Sequence, residues 1–205
     1  MQNSPRIETE RFILRKFNDN DINDLHEILK DEVVNTYLPW FVSKTVDDTK
    51  RFLEDRVYLE YQKEVSYFYA IEAKDSHKVV GYADVIDIDL EEKCGDLGYG
   101  IHRDYWKKGI ASEVSLAMLR QLKEDGFAYI HATCDQRNIG SGKVMQKCGM
   151  KYMYSYEEQW QPKDILVVFR MYQINLDGNE KRVFKKYWDM YPNHYMKKIF
   201  NIATK

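Results

Sequence analysis

The 205-residue sequence predicts one α/β (α+β) domain of three layers: a mixed, mostly antiparallel sheet flanked by helices, followed by a C-terminal helical extension. Three observations predict it. Between residues 67 and 101, period-two runs follow one another across short polar turns, as neighbouring antiparallel strands do. From residue 109 onward, helical and strand patterns alternate. The composition, 44% hydrophobic and 31% charged, is that of an ordinary globular chain, and the 14% aromatic share argues against disorder. A chain this long forms one domain, or one with an appendage, and buries a core without disulfides or a metal.

Residues 11–16 (RFILRK) read as the first strand. Residues 18–30 read as a helix, capped by Asp19 or Asn20, with Ile22, Leu25, Ile28 and Leu29 on one side. YLPWFV at 37–42 is an apolar loop around Pro39, and a second helix covers 46–62. Strands follow at 67–73, at 79–88 after the DSHK turn, and at 96–101 after LEEKCG. A helix over 109–123 carries Val114, Ala117, Met118 and Leu122 in one stripe. A short strand at 129–133 precedes a helix over 138–147 that Gly149 closes. Strands at 151–160 and 165–174 form a final hairpin, which brings the sheet to about seven strands.

The domain is expected over residues 1–175 and the extension over 176–205. In the extension Val183, Phe184, Tyr187, Trp188 and Tyr191 share a helical face, and Pro192 ends the helix. That face folds back onto the domain, forms a homodimer contact, or acts as a substrate lid.

Thirty-one Lys and Arg against 33 Asp and Glu give a net charge of −2, which excludes a general nucleic-acid binder but not a local basic pocket. No stretch approaches the ~18 apolar residues of a membrane span. The opening MQNSPRIETE lacks a signal peptide's apolar core, so a cytoplasmic location is expected, with no membrane contact. Cys94, Cys134 and Cys148 have no metal-ligand spacing; reduced, buried thiols and no metal are expected.

Chemistry concentrates at 96–122. A glycine-interrupted strand leads through HRDYWKKGIA into a long helix. A loop feeding a helix N-terminus presents unpaired N–H groups and partial positive charge, a site for a phosphate or pyrophosphate. Gly109 permits close approach, Ala111 keeps the next turn small, and Lys107 and Lys108 add charge. Gly98 and Gly100 alternate on one face of the preceding strand, where glycine implies close approach by another backbone or a ligand. At 133–150, Asn138 and Ser141 fall on the same helix face as Val144, Met145 and Cys148. Asn138 is either a helix N-cap or a ligand contact; Ser141 bonds back to the preceding turn or meets a ligand. Lys143 and Lys147, on the other side, are solvated or bind a ligand phosphate. No GxxxxGK[ST] or GxGxxG motif occurs, which argues against a nucleotide-binding enzyme of those kinds.

IETERFILR at the start, DLGYGIHRDYWKKGIASEV, and N-x-x-S-x-x-V-x-x-K-x-G from Asn138 to Gly149 occur in that order. In these motifs residues 6–175 resemble the GNAT superfamily of acyl-CoA-dependent N-acetyltransferases, in the branch that includes the ribosomal-protein alanine N-acetyltransferases. The resemblance implies a GNAT-like fold and acetyl-CoA as co-substrate. It also implies an acceptor amine that is a protein N-terminus or a small molecule. It implies that the backbone of Tyr99, Gly100 and Ile101 runs along the pantetheine, and that the N–H groups of Lys107, Lys108, Gly109, Ile110 and Ala111 hold the pyrophosphate. Asn138 would bond the pantetheine, Ser141 would lie near the thioester sulfur, and Lys143 or Lys147 would reach the 3′-phosphate. Two positions depart from the superfamily pattern. Trp106 stands where Gln or Arg is common, and Met145 replaces the tyrosine that serves many members as general acid.

In the implied reaction a neutral amine attacks the thioester. Asp96 is the candidate base, with Glu72 and Asp84 behind it, and Glu113 is read as a helix-dipole partner. The N–H of Tyr99 would stabilise the oxyanion. Ser141 would assist the departing thiolate. Trp40, Phe41 and the strand from Tyr67 to Tyr69, together with Asp84, are candidates for the acceptor cleft. The alternative is a non-catalytic acetyl-CoA-binding sensor, which the missing tyrosine favours.

Overall fold

The computed structural model describes residues 1–196. Residues 197–205, the end of the predicted extension, lie outside the described residues.

One sheet organises the chain, in the order β1 (Ile7–Glu8), β2 (Phe12–Arg15), β3 (Tyr67–Ala73), β4 (Val79–Asp89), β5 (Cys94–Ile101), β6 (Tyr129–Asp135), β8 (Ile165–Asn175), β7 (Lys151–Trp160) and β9 (His194–Tyr195). The sequence reading has seven strands; the sheet has nine among the described residues, because the two-residue β1 and β9 are too short to show a period. Every pairing is antiparallel except β5 with β6.

Alternation along the strands sends side chains to two covers. Tyr67, Tyr69 and Ile71 of β3 join the core under α3 (Ile110–Glu124) and α4 (Ile139–Lys147), with Val114, Met118, Leu122 and Met145. Phe68 and Ala70 face the other way, against α1 (Ile22–Leu29) and the second helical segment. The segment predicted as one helix over 46–62 is an α-helix, α2 (Val46–Phe52), that widens into a π-helix at Leu53–Tyr58. The first predicted helix begins as a 3-10 turn, capped by Asn18.

The opposite end of that second face is covered by the C-terminal segment. Phe184, Tyr187, Trp188 and Tyr191 pack on Tyr154, Tyr156 and Phe169 of the β7–β8 hairpin. Only Lys186–Met190 is helical (α5), so most of this stretch is not the helix its spacing predicts. Its rings find partners on the sheet rather than on a continuous helix of their own.

Candidate active site

β5 meets β6 at a single register pair, Asp96 with His131, and the two strands then part. The N–H of His102, just past β5, donates to the Val80 carbonyl on the β4 side. By the alternation of an extended chain, the backbone groups of Tyr99 and Ile101 point the other way, into the gap. A cavity of about 970 Å³ occupies this gap and runs on over the sheet.

The loop after β5 ends in Gly109, which is left-handed (φ +78°), and begins α3 without a side-chain cap. The first amides of α3 therefore reach the cavity unpaired by any capping group, and Ile110, Ala111 and Ser112 line it. A cap there would compete with an anion; its absence suits a pyrophosphate. The loop is held from behind by Arg11 of the RFILRK strand. Arg11 Nη1 donates to the Lys108 carbonyl at 3.0 Å, and Nε donates to Glu113 Oε2 at 2.7 Å. Glu113 thus anchors the loop, a role its first-turn position did not reveal.

On the facing wall, Asn138 caps α4: its Oδ1 accepts from the Ser141 N–H at 3.1 Å. The Ser141 hydroxyl sits 2.9 Å from the Tyr99 hydroxyl, which bridges the gap between β5 and α4. Burial holds the Tyr99 phenol above its ordinary pKa, so it stays protonated.

The predicted cofactor residues Tyr99, Gly100, Ile101, Trp106, Lys107, Gly109, Ile110, Ala111, Asn138, Ser141 and Lys143 all line this cavity. Trp106 lines it with its indole N–H donated to the Ile101 carbonyl at 2.8 Å. Two lysines do not line it. The Lys108 ammonium lies over the Tyr105 ring, and Lys147 is exposed one turn beyond Lys143.

The two strand glycines have a reason beyond the one predicted. A Cβ on Gly98 would overlap the Asp84 carboxylate, and one on Gly100 would overlap the Tyr82 ring. They make room for side chains of β4, and both also line the cavity.

At the acceptor end, Asp96, Asp84 and Trp40 line the cavity. Burial pushes the Asp96 carboxyl up to about 8. The Tyr187 hydrogen bond opposes this, and Asp87 and Asp84 reinforce it. Burial likewise raises Asp84 to about 7, against the pull of Arg56. Trp40 is fixed by a 2.8 Å bond from its Nε1 to Asn35 Oδ1 and by Arg56 over its ring.

Three acceptor-side or base candidates fall elsewhere. Tyr67 points to the α3 side, where its hydroxyl donates to Asp125 at 2.6 Å, and Phe41 is 67% exposed. Glu72 is held by Arg15 and His77 on β3, away from the cavity.

Sequence reasoning missed Glu158, Tyr156 and Arg137, which also line the cavity, and His131, which stands beside Asp96. The alternation Tyr154, Tyr156, Glu158, Trp160 sets one carboxylate in an aromatic strand face, a signal that could have found Glu158. All three cysteines are free and buried, as expected. No group of three or more metal-ligating side chains occurs among the described residues.

The family profile described as "Acetyltransferase (GNAT) domain" matches residues 11–151. The chain belongs to the GNAT family of acyl-CoA-dependent N-acetyltransferases. It is 30% identical over 146 residues to the uncharacterized N-acetyltransferase YnaD of Bacillus subtilis (strain 168), covering 71% of this chain and 82% of that protein. A GNAT-family acetyltransferase structure from Bacillus anthracis superposes with a TM-score of 0.74 at 26% identity, over 84% of this chain and 99% of that one. RimL, a ribosomal L7/L12 alpha-N-protein acetyltransferase solved in complex with coenzyme A, shares the fold with a TM-score of 0.75. It is 18% identical, over 85% of this chain and all of that chain (100%). The GNAT match ends at residue 151, before β8 and the C-terminal segment.

Proposed function

We propose that the protein transfers the acetyl group of acetyl-CoA to a primary amine by direct attack in a ternary complex. The amine is a protein N-terminus or a small molecule. The carrying observation is one continuous cavity with an uncapped helix N-terminus at one end and Asp96 at the other.

The residues present fit coenzyme A. The amides from Lys107 to Ala111 suit the pyrophosphate, the backbone of Tyr99 and the N–H of Ile101, whose carbonyl is taken by Trp106, offer a strand edge to the pantetheine, and Lys143 suits the 3′-phosphate. Asp96 takes a proton from the attacking nitrogen. Its raised pKa matches that task near neutral pH. The nitrogen forms a bond to the acetyl carbon, and the Tyr99 N–H stabilises the oxyanion. The carbon–sulfur bond then breaks, and coenzyme A leaves as a thiolate of pKa ~8.5, which needs no strong acid. Ser141, backed by the Tyr99 hydroxyl, stands where the branch places a serine beside the sulfur.

Met145, 2% exposed and incapable of donating a proton, favours a second reading, a non-catalytic acetyl-CoA sensor. Incubation with acetyl-CoA and a panel of primary amines separates the two. Release of free thiol with a matching acetyl mass gain on one acceptor class is expected. Coenzyme A binding without thiol release on any acceptor would favour the sensor.

A further inference from the structure

The C-terminal segment is tied into the fold by hydrogen bonds from buried side chains of the β7–β8 hairpin. Gln173, 2% exposed, accepts from the Phe184 N–H at 2.7 Å and donates to the Arg182 carbonyl at 2.9 Å. The Tyr154 hydroxyl, also buried, donates to the Phe184 carbonyl at 2.9 Å. Both side chains are buried, so displacing the segment would break several shielded hydrogen bonds at once. The segment is therefore a fixed wall rather than a loose lid.

That wall sets two tyrosines, four residues apart, on the ring of Tyr156. Tyr187 stacks at 5.0 Å and Tyr191 at 4.9 Å. From this position the Tyr187 hydroxyl donates to Asp96 Oδ2 at 3.2 Å. His131 Nδ1 stands 3.7 Å from the same oxygen, too far for a hydrogen bond and without a partner among the described residues. Phe184 covers the His131 ring at 3.8 Å. Burial pushes His131 down to about 3, so it is neutral and does not pair electrostatically with Asp96.

We infer that Tyr187 is a positioning residue for acetyl transfer: it anchors Oδ2 of Asp96 and leaves Oδ1 to receive the amine proton. This rests on the proposed acetyltransferase reading. The groups that face Asp96 are Asp84 and Asp87 from β4, His131 from β6, Tyr156 from β7, and Tyr187 and Lys186 from α5. Of these, the Tyr187 hydroxyl donates the hydrogen bond that favours the ionised carboxylate.

Tyr187→Phe removes this hydroxyl and keeps the ring on Tyr156. The Asp96 side-chain carboxyl is followed by carbon NMR titration in the parent and the variant, alongside the pH profile of turnover and calorimetric titration of coenzyme A. The Asp96 titration is expected to move up by about one pH unit, with the alkaline-rising limb of kcat moving by the same amount. Coenzyme A affinity is expected to stay unchanged. In an Asp96→Asn background the same substitution is expected to do nothing further. An unmoved Asp96 titration overturns the inference, and so does a moved titration with an unmoved limb. Absence of coenzyme A binding in the parent would instead sink the acetyltransferase reading, and the NMR titration would still decide the Tyr187 contact.

Discussion

The Tyr99 hydroxyl lies 2.9 Å from the Ser141 hydroxyl, across the opening where β5 leaves β6. The pair joins the strand that carries the Asp96 carboxylate to the helix that faces it. Tyr99 is kept protonated by burial, so its hydroxyl can donate a hydrogen bond to the Ser141 hydroxyl, whose own proton is then free to point at a departing thiolate. Ser141→Ala and Tyr99→Phe are each expected to lower kcat about 10- to 100-fold, with KM for acetyl-CoA little changed. Because the two act as one chain, the double variant is expected to be no worse than the weaker single one. Additive losses in steady-state kinetics would show that they act independently.

Turnover should depend on pH in a way that Asp96 sets. Its carboxyl is pushed up to about 8, so below that pH most molecules hold the proton that the base must lack. kcat is expected to rise as pH increases from 6 to about 8.5 and then to level. Asp96→Asn should remove the limb and lower kcat by two orders of magnitude or more, on the order of 10²–10⁴. A limb that survives in Asp96→Asn would transfer the role to Asp84, which lines the same cavity with a pKa of about 7.

The same burial has a consequence for stability. A carboxyl whose folded pKa is raised keeps its proton between pH 4 and 8 while the unfolded chain has released it. Folding stability contributed by this group is therefore lost as pH rises through that window. Asp96→Asn, which cannot ionise and keeps an acceptor for Tyr187, is expected to raise Tm by several degrees at pH 8 and to leave it unchanged at pH 4. Thermal melts at the two pH values check this, and equal shifts at both would contradict it.

How far this could be read in advance depended on whether the deciding interaction was local. The strands at 67–73 and 151–160 have these bounds in the structure, because unbroken period-two patterns end at turn residues. The Asn138 cap was legible as one of two readings for the same reason, since a cap acts within one turn, whereas Gly109 was read for close approach and not for its left-handed backbone. The side-chain reason for Gly98 and Gly100 was not legible, because Asp84 and Tyr82, which need the space, lie on another strand. Tyr67 was misassigned because a strand's period gives two faces without saying which one meets α3. Tyr187 could not be linked to Asp96 at all, since 91 residues and the order of four strands separate them.

Lys143 and Lys147 offered the sequence equal claims on a 3′-phosphate, and the cavity separates them. Lys143→Ala is expected to weaken coenzyme A several-fold and dephospho-coenzyme A hardly at all, the loss of about one screened charge contact. Lys147→Ala should bind both like the parent. Calorimetry with the two ligands reads the difference directly.

Arg11 gives the last test, because its effect should fall on binding and not on stability. Its side chain is 45% exposed, and exposed ion pairs contribute little to folding, typically about 0–1 kcal/mol. Yet it fastens two points of one loop, the Lys108 carbonyl and the Glu113 carboxylate, on either side of left-handed Gly109. Amides that must converge on a pyrophosphate lose affinity when the loop that aims them is free to spread. Arg11→Gln is expected to raise the Kd for acetyl-CoA about tenfold, with Tm within two degrees or so of the parent. Glu113→Gln should reproduce part of that loss, because it weakens one of the two tethers and leaves the Lys108 contact in place. Should both variants bind acetyl-CoA like the parent, the loop holds its shape through Gly109 and the start of α3 alone.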